Sequence, residues 1–185
     1  MFTILRIDAH ATADRMPTEY AALAASGRTD VVLKQADAET PEQLVAAAQE
    51  ADVLLTDCAM LTGAVLQQLP RCRAIIRYGV GYDTVDVATA SKCGIAVVNV
   101  PDFCNEEVSN HVMMFLLAAA KKLKPLDALV RQGQWAQAKA MQRPMGSIHG
   151  ETLGIIGCGN LGRSVAVKAH AFGMPVIGYS PHTPQ

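Results

Sequence analysis

The sequence contains few aromatic residues and few charged ones. Aromatic residues make up 5% of the 185 positions and charged residues 18%, whereas 50% of the positions are hydrophobic. A chain of this length with so large a hydrophobic share can bury a core, which excludes a disordered protein. The formal net charge of −1 gives no electrostatic reason to expect a nucleic acid or an anionic membrane as a partner.

The cysteines are odd in number and form no C-x-x-C pair. The five are Cys58, Cys72, Cys93, Cys104 and Cys158. No histidine lies at ligand spacing from them, so we predict no metal site and interpret them as reduced thiols. Arg6 and Asp8 fall within the first apolar run, which is therefore not a signal peptide, and no hydrophobic run has the length of a membrane span. We therefore expect a cytoplasmic protein.

Short β-rich runs alternate with helical patterns over the first hundred residues. The predicted strands cover residues 3–7, 31–34, 52–57, 74–79 and 95–100. After the second strand, Thr40, Pro41 and Gln43 form the pattern of a helix N-cap with a capping box. Five strand–helix alternations predict an α/β fold with a doubly wound parallel sheet.

A long helix is predicted next, over residues 105–123. The apolar positions that lie at helical spacing along one face are Val108, Val112, Phe115, Leu116, Ala119 and Leu123. Further apolar residues widen this face, so we expect the helix to be packed on two sides. A second helical stretch follows, and the last predicted elements are a strand, a helix and a strand over residues 152–157, 160–173 and 175–179.

Three glycines stand at the junction of that strand and that helix, in the spacing G-x-G-x-x-G. Gly157 permits a tight turn, Gly159 lets the backbone approach a pyrophosphate, and Gly162 lets helix and strand pack closely. The N–H groups at the start of the helix can then hold an anion. The pattern predicts a dinucleotide site, and the alternative is a tight turn without a ligand.

The acidic residue that usually follows the second strand of such a site is absent. Ser180, 21 residues after Gly159, stands at that position and follows Tyr179. Its hydroxyl does not repel a 2′-phosphate as a carboxylate would, but no arginine is nearby and His182 is the only potential cation. We therefore expect NAD as the cofactor and keep NADP open.

A second pair of glycines follows a predicted buried strand in the segment IIRYGVGYDTVD, residues 75–86. Gly79 and Gly81 free backbone N–H groups at the carboxyl end of that strand, where open α/β sheets bind ligands. Arg77 adds a fork-shaped cation that suits a carboxylate. The residues alone leave an alternative open, in which the glycines only form a turn and Arg77 is a surface residue.

Taken together, these segments are similar to one family. The chain resembles the D-2-hydroxyacid dehydrogenases in IIRYGVGYDTVDVATASKCGIAVVNVPDFCNEEVSNHVMMFLLAAAKKL and in TLGIIGCGNLGRSVAVKAHAFGMPVIGYSP. Within that family it is most similar to the branch of phosphoglycerate dehydrogenases and C-terminal-binding-protein corepressors. The resemblance implies a flavodoxin-like substrate-binding domain in residues 1–100. For residues 101–185 it implies an inter-domain helix and an incomplete NAD-binding Rossmann domain.

The resemblance also implies roles for individual residues. The loop that meets the substrate carboxylate corresponds to Arg77, Tyr78, Gly79, Val80 and Gly81. The residues that correspond to cofactor contacts are Val108, against the nicotinamide, and Gly157, Gly159, Asn160, Leu161, Gly162, Tyr179 and Ser180. The catalytic Arg, Glu and His of the family have no counterpart here, because in family order they come after residue 185.

Two functions follow from the resemblance. One is an NAD-dependent oxidoreductase that oxidises the CH–OH group of D-2-hydroxy acids or reduces 2-keto acids, of which this chain is a truncated portion, inactive alone. The alternative is a non-enzymatic, corepressor-like dimerisation module that senses NAD. In both cases we expect a homodimer through the long-helix region, with no nucleic acid or membrane as a partner.

Overall fold

Two compact units make up the chain, Met1–Pro101 and Asp102–Gln185. The computed structural model describes residues 1–8 and 16–181. No helix in these two ranges is long and apolar enough to cross a membrane. Each unit contains a sheet of its own.

The first unit is built on a five-stranded parallel sheet. In chain order its elements are β1 (Phe2–Arg6), α1 (Met16–Ala25), β2 (Val31–Gln35), α2 (Pro41–Ala48), β3 (Val53–Thr56), α3 (Gly63–Leu66), β4 (Ala74–Arg77), α4 (Val87–Lys92) and β5 (Ala96–Val98). The strands lie in the order β2-β1-β3-β4-β5, and every neighbouring pair is parallel. This is the flavodoxin order, so the predicted doubly wound α/β fold is confirmed.

Buried aliphatic side chains on the strands account for this sheet. Leu54 of β3 and Ile75 of β4 are fully buried and share one core with Leu5 of β1. Parallel strands that are covered on both faces need such apolar runs. The predicted capping box of α2 is also confirmed. Thr40 Oγ1 accepts a hydrogen bond from the N–H of Gln43, and the Gln43 side chain accepts one from the N–H of Thr40, both at 3.3 Å.

The second unit combines helices with a two-stranded parallel sheet. Its described elements are α5 (Asn105–Ala120), α6 (Leu123–Arg131), α7 (Trp135–Met141), β6 (Leu153–Ile156), α8 (Asn160–Ala171) and β7 (Val176–Tyr179). β6 and β7 pair in parallel, with Leu153 beside Val176 and Ile156 beside Tyr179. α8 connects the two strands and packs against α5. The strand–helix–strand predicted for this part of the chain is therefore confirmed.

The long helix is shorter than predicted and buries a different face. α5 ends at Ala120 rather than at residue 123, because Lys122 has a left-handed backbone (φ 53°) that separates α5 from α6. The buried residues of α5 are Ser109 and Met113, whereas Val112 and Phe115 of the predicted stripe are exposed. The prediction of a helix packed on two sides is therefore wrong for this chain by itself.

Candidate functional site

The glycines of the G-x-G-x-x-G pattern lie in the turn between β6 and α8. Gly157 has a φ of 100°, which residues other than glycine rarely adopt. A Cβ atom on Gly162 would lie 2.1 Å from the carbonyl oxygen of Gly157, so only glycine permits this close approach of helix and turn. Gly159, the N-cap of α8, differs from both. A Cβ atom there would meet no described atom within 4 Å and would project into open space.

The start of α8 offers unpaired backbone donors beside that open space. No side chain caps the helix, and the N–H of Arg163 donates to the carbonyl oxygen of Gly159 at 2.9 Å. Asn160, Leu161 and Gly162 precede Arg163 in the first turn of α8. The N–H groups of a first helical turn have no hydrogen-bond partner within the helix. Such groups bind phosphate, helped by the positive end of the helix dipole. The turn therefore fits the pyrophosphate of a dinucleotide.

The end of β7 lies beside the same turn. The N–H of Gly157 donates to the carbonyl oxygen of Tyr179 at 2.8 Å, and Ser180 follows directly. The Tyr179 side chain is exposed. His182, the cation considered from the sequence, lies outside the described residues. Dinucleotide sites usually have an acidic residue after this strand. Here the polar group at that position is the Ser180 hydroxyl.

The amino-terminal end of α5 lies close to the glycine turn. The Nδ2 group of Asn160, the first residue of α8, donates to Oδ1 of Asp102 at 2.9 Å. Val108 stands on the first turns of α5 and is exposed. Sequence reasoning missed the bond between Asn160 and Asp102, because it joins residues 58 positions apart.

In the first unit, Arg77 ends β4 and its guanidinium folds over the following turn. A Cβ atom on Gly79 would lie 1.5 Å from Nη1 of Arg77. Nη2 lies 3.8 Å from the Asp57 carboxylate, and Nε is buried and makes no hydrogen bond within the described chain. The Arg77 side chain is 21% exposed. It is therefore a largely buried cation at the carboxyl end of the sheet, with one buried donor that makes no hydrogen bond in the described chain.

Tyr78 points its side chain toward a buried charge group. Its hydroxyl donates to the Glu19 carboxylate, and its ring faces the guanidinium of Arg6 at 5.7 Å. Arg6 is fully buried and forms an ion pair with Glu19 at 3.0 Å. The Tyr78 side chain is thus engaged inside the unit, so a ligand at this loop would meet its backbone.

Hydrogen bonds from a neighbouring segment fix the backbone of the rest of the loop. The carbonyl oxygen of Gly79 accepts from the N–H of Val100 at 3.1 Å. The carbonyl oxygen of Val80 accepts from the Asn99 amide at 2.7 Å. A Cβ atom on Gly81 would only touch the Asp83 carboxylate at 3.4 Å. The predicted substrate loop is therefore an ordered turn at one end of β4.

Asp8 follows β1, and sequence reasoning did not identify it as a site residue. The groups that donate to its Oδ2 are the Thr56 hydroxyl (2.8 Å) and the N–H groups of Asp57 (3.0 Å), Cys58 (2.9 Å) and Ala59 (3.0 Å). Burial raises the pKa of the Asp8 carboxyl, but these hydrogen bonds together lower it more, so its pKa lies below the ordinary value. Asp8 therefore shapes the loop that follows β3.

Comparison with models of known protein families shows to which family the chain belongs. The sequence model of the D-isomer specific 2-hydroxyacid dehydrogenases, catalytic domain, matches residues 11–169. The chain belongs to this family. The resemblance seen in the sequence is thereby confirmed, and both glycine turns lie within the matched range.

Two relatives within the 2-hydroxyacid dehydrogenases illustrate the similarity. D-3-phosphoglycerate dehydrogenase of Methanocaldococcus jannaschii is 37% identical over 147 residues, which are 79% of this chain and 28% of the relative. Glyoxylate reductase of Thermococcus gammatolerans is 35% identical over 144 residues, which are 75% of this chain and 43% of the relative. The chain therefore spans less than half the length of these relatives.

A solved structure of a 2-hydroxyacid dehydrogenase shares the fold. D-lactate dehydrogenase of Aquifex aeolicus, complexed with NAD and lactic acid, matches with a TM-score of 0.82 at 25% sequence identity. The match covers 98% of this chain and 52% of that one. The predicted α/β architecture is thereby confirmed a second time. The individual site residues stay predictions, because none of these comparisons assigns them.

Proposed function

We propose that this chain provides the acid-binding loop and the first half of the dinucleotide site of an NAD-dependent oxidoreductase. That enzyme would oxidise the CH–OH group of D-2-hydroxy acids or reduce 2-keto acids, as phosphoglycerate dehydrogenases do. The observation that carries the proposal is the open space above Gly159, at the uncapped start of α8. Gly157 and Gly162 are required by backbone geometry, whereas a ligand that approaches the backbone accounts for glycine at position 159.

In the second unit, the glycine turn would hold the cofactor. The N–H groups of Asn160, Leu161 and Gly162 would bind the pyrophosphate, and Ser180 would bond to the adenine ribose. Val108 would lie against the nicotinamide ring, which supplies or accepts a hydride when bound. The proposed cofactor is NAD, with NADP as the competitor that a serine at position 180 does not repel.

In the first unit, the loop after β4 would hold the acid. The Arg77 guanidinium would pair with the substrate carboxylate, because it lies over the loop and is 3.8 Å from the Asp57 carboxylate, beyond hydrogen-bond distance. The N–H groups of Val80 and Gly81 would bind further oxygen atoms of the substrate. These groups orient the acid and stabilise its charge, and none of them transfers a proton.

The 185 residues are proposed to be inactive on their own. Reduction of a 2-keto acid needs a group that gives a proton to the carbonyl oxygen, most often a histidine. His111 packs edge-on against Phe115, with ring centroids 4.6 Å apart, and His149 packs on Gly173. Both imidazoles are thus engaged in packing contacts within the second unit, and the exposed His170 stands in the last turn of α8, at the end opposite the glycine turn.

The test is to titrate the 185-residue chain with NADH, NADPH and ADP-ribose, and then to assay NADH oxidation with glyoxylate, pyruvate and 3-phosphohydroxypyruvate. We expect binding of ADP-ribose and both dinucleotides, a preference for NADH, and no oxidation of it. A chain that binds none of the three ligands contradicts the dinucleotide site. Measurable NADH oxidation would instead show that an acid–base group is present.

A second candidate function is favoured by exposed apolar side chains on α5, α6 and α7. Phe115, Leu123 and Trp135 are 61%, 60% and 64% exposed, as expected for a protein–protein interface. We propose that this region forms a homodimer. In the non-enzymatic alternative, a corepressor-like module would use the same surface and change its association when NAD binds. Sedimentation with and without NAD separates the two. An enzyme subunit should stay a dimer in both conditions, whereas the corepressor-like module should change its association when NAD is added.

The proposed location is the cytoplasm. All five cysteines are free thiols, and Cys58 and Cys93 are exposed. Exposed free thiols are typical of reducing compartments, whereas secreted proteins pair them in disulfides. Fractionation of cells that produce the protein would test this location.

A further inference from the structure

The contact between α5 and α8 is polar at one end and apolar at the other. The Lys168 ammonium donates to Oε2 of Glu106 at 2.9 Å, to Oγ of Ser109 at 2.8 Å and to Oγ of Ser164 at 3.2 Å. We call these four residues the α5–α8 polar cluster. Toward the carboxyl-terminal end of α5, the two helices instead border an apolar groove of about 690 Å³, lined by residues such as Met114, Leu117 and Phe172.

The α5–α8 polar cluster is well satisfied internally. The hydroxyls of Ser109 and Ser164 lie 2.9 Å apart, and Ser109 is fully buried. Ser164 also donates to Oε1 of Glu106 at 3.2 Å. Lys168 donates to all three of the other residues, and its side chain is only 21% exposed. Charge-assisted hydrogen bonds of this kind fix the distance and rotation between two helices more strictly than aliphatic packing does.

The α5–α8 polar cluster and the glycine turn lie at the same end of the second unit. Asn160, the first residue of α8, donates to Asp102 just before α5, so both helices begin beside the turn. A dinucleotide bound there extends in two directions from its pyrophosphate. The adenosine half would lie toward Tyr179 and Ser180 at the end of β7. The other half would leave the turn on the side of α5, whose first turns carry Val108.

We propose that Lys168 is a positioning residue for the nicotinamide half of the cofactor. Lys168 does not touch the ligand. Through its hydrogen bonds to Glu106 and Ser109, it holds the first turns of α5 in the position at which they contact the nicotinamide half. This inference rests on the proposed dinucleotide site. It assigns to α5 the binding of the nicotinamide half, which is separate from the binding of the pyrophosphate by the glycine turn. Loss of Lys168 would therefore affect the two halves of the cofactor unequally.

The experiment compares NADH with ADP-ribose, which has the adenosine and the pyrophosphate but no nicotinamide. Both are titrated into the 185-residue chain and into its Lys168→Met variant. We expect the Kd of NADH to rise about threefold to thirtyfold, while the Kd of ADP-ribose changes by less than about twofold. Lys168→Arg should restore NADH binding, since a guanidinium can donate to the same oxygens. Lys121→Met is the matched control, because Lys121 donates to the Gly146 carbonyl instead.

Each outcome decides the matter. An equal loss of both ligands, or no change in either, overturns the positioning role and leaves the dinucleotide site intact. Equal affinity of the unmodified chain for NADH and ADP-ribose also overturns it, since the nicotinamide half would then gain nothing from α5. Failure of the unmodified chain to bind either ligand refutes the proposed function itself. If Lys168→Met does not fold, Glu106→Gln at an exposed position tests the same selective loss.

Discussion

The guanidinium of Arg77 occupies the space that a side chain at Gly79 would need, with Nη1 1.5 Å and Cζ 2.6 Å from the ideal Cβ position. An arginine tip can move, so Gly79→Ala should displace Arg77 without unfolding the sheet. We expect the free energy of unfolding to change by less than about 1 kcal/mol. We also expect weaker binding of pyruvate, because the cation no longer lies over the loop. Urea unfolding and NMR titration measure the two effects.

Gly81→Ala is the matched control for that substitution. Its Cβ atom would make an ordinary contact of 3.4 Å with the Asp83 carboxylate and leave Arg77 in place. Stability should therefore stay unchanged, and this variant should bind pyruvate more tightly than Gly79→Ala does, because Arg77 still lies over the loop. If Gly79→Ala binds pyruvate as well as Gly81→Ala does, Arg77 does not hold the carboxylate.

Asp8→Asn and Asp8→Ala should destabilise the first unit to different extents. The Asn side chain can still offer an oxygen to the loop after β3, but without the charge, so we expect a loss of about 1–2 kcal/mol. Alanine leaves the N–H groups of Asp57 and Cys58 without their acceptor and takes a backbone with φ of 64°, so the loss should reach about 3 kcal/mol or more. Urea unfolding measures both, and equal losses would show that the Asn oxygen does not replace the carboxylate as an acceptor.

The Asp8 carboxylate should also make the free energy of unfolding depend on pH. Hydrogen bonds to the ionised form outweigh burial, so the pKa of Asp8 is lower in the folded chain than in the unfolded one. Its contribution is therefore complete above the unfolded pKa, about 3.9, and is lost as the pH falls through the folded pKa. Below about pH 4, the urea midpoint should fall more steeply for the unmodified chain than for Asp8→Asn. Parallel pH profiles would contradict this assignment.

The α/β alternation and both glycine turns can be predicted from the sequence because their causes are local. The capping box of Thr40 and Gln43 depends on residues three positions apart, and it forms as the pattern indicates. The positive φ of Gly157 likewise follows from the spacing of strand, turn and helix. The strand order is different, because no single segment indicates it and only the resemblance to a family with a flavodoxin-like domain implies it.

The polar contacts at the ends of the strands could not be predicted, because they join distant positions. Asp8 and Ala59 are 51 residues apart, and only the pairing of β1 with β3 brings them together. Lys168 and Glu106 are 62 residues apart. The covered face of α5 was also mispredicted, because hydrophobic spacing indicates an apolar stripe but not which partner covers it. Here the side that faces α8 includes Ser109, a polar residue that the stripe omits.

Cys72 should be the slowest of the five cysteines to react. Burial raises the pKa of its thiol to about 11, against a smaller lowering by the Ala74 backbone, and the nearby Asp52 charge adds to the rise. Labelling with iodoacetamide, mapped by mass spectrometry, should modify the exposed Cys58 and Cys93 first. All five should react alike in urea, which is the control. Early labelling of Cys72 in the folded chain would mean that the thiol is accessible.

Phe115→Asp should convert a dimer to a monomer. The Phe115 ring is 61% exposed on α5 and touches His111 within its own helix, so the substitution costs the chain little buried surface. A carboxylate in an apolar interface is strongly unfavourable. Sedimentation velocity measures the change, and Tyr20→Asp, on an exposed position of α1, is the control. A chain that is monomeric before substitution would refute the proposed dimer.

Gly162→Ala should abolish dinucleotide binding, whereas Gly154→Ala should not. The new Cβ atom at position 162 would lie 2.1 Å from the Gly157 carbonyl oxygen and 3.2 Å from the Ile155 side chain. The first contact is with backbone, which cannot move aside as an arginine tip can, so the turn and the start of α8 must separate. We expect a loss of stability of about 1–3 kcal/mol.

Gly154 serves as the control for that turn because it lies on β6, in the same unit, where an added Cβ atom would meet nothing within 4 Å. Titration with ADP-ribose, together with thermal unfolding, distinguishes loss of the site from loss of the fold. Retained ADP-ribose binding in Gly162→Ala would mean that the phosphate does not depend on the geometry of this turn. The pyrophosphate site would then have to lie elsewhere in the chain.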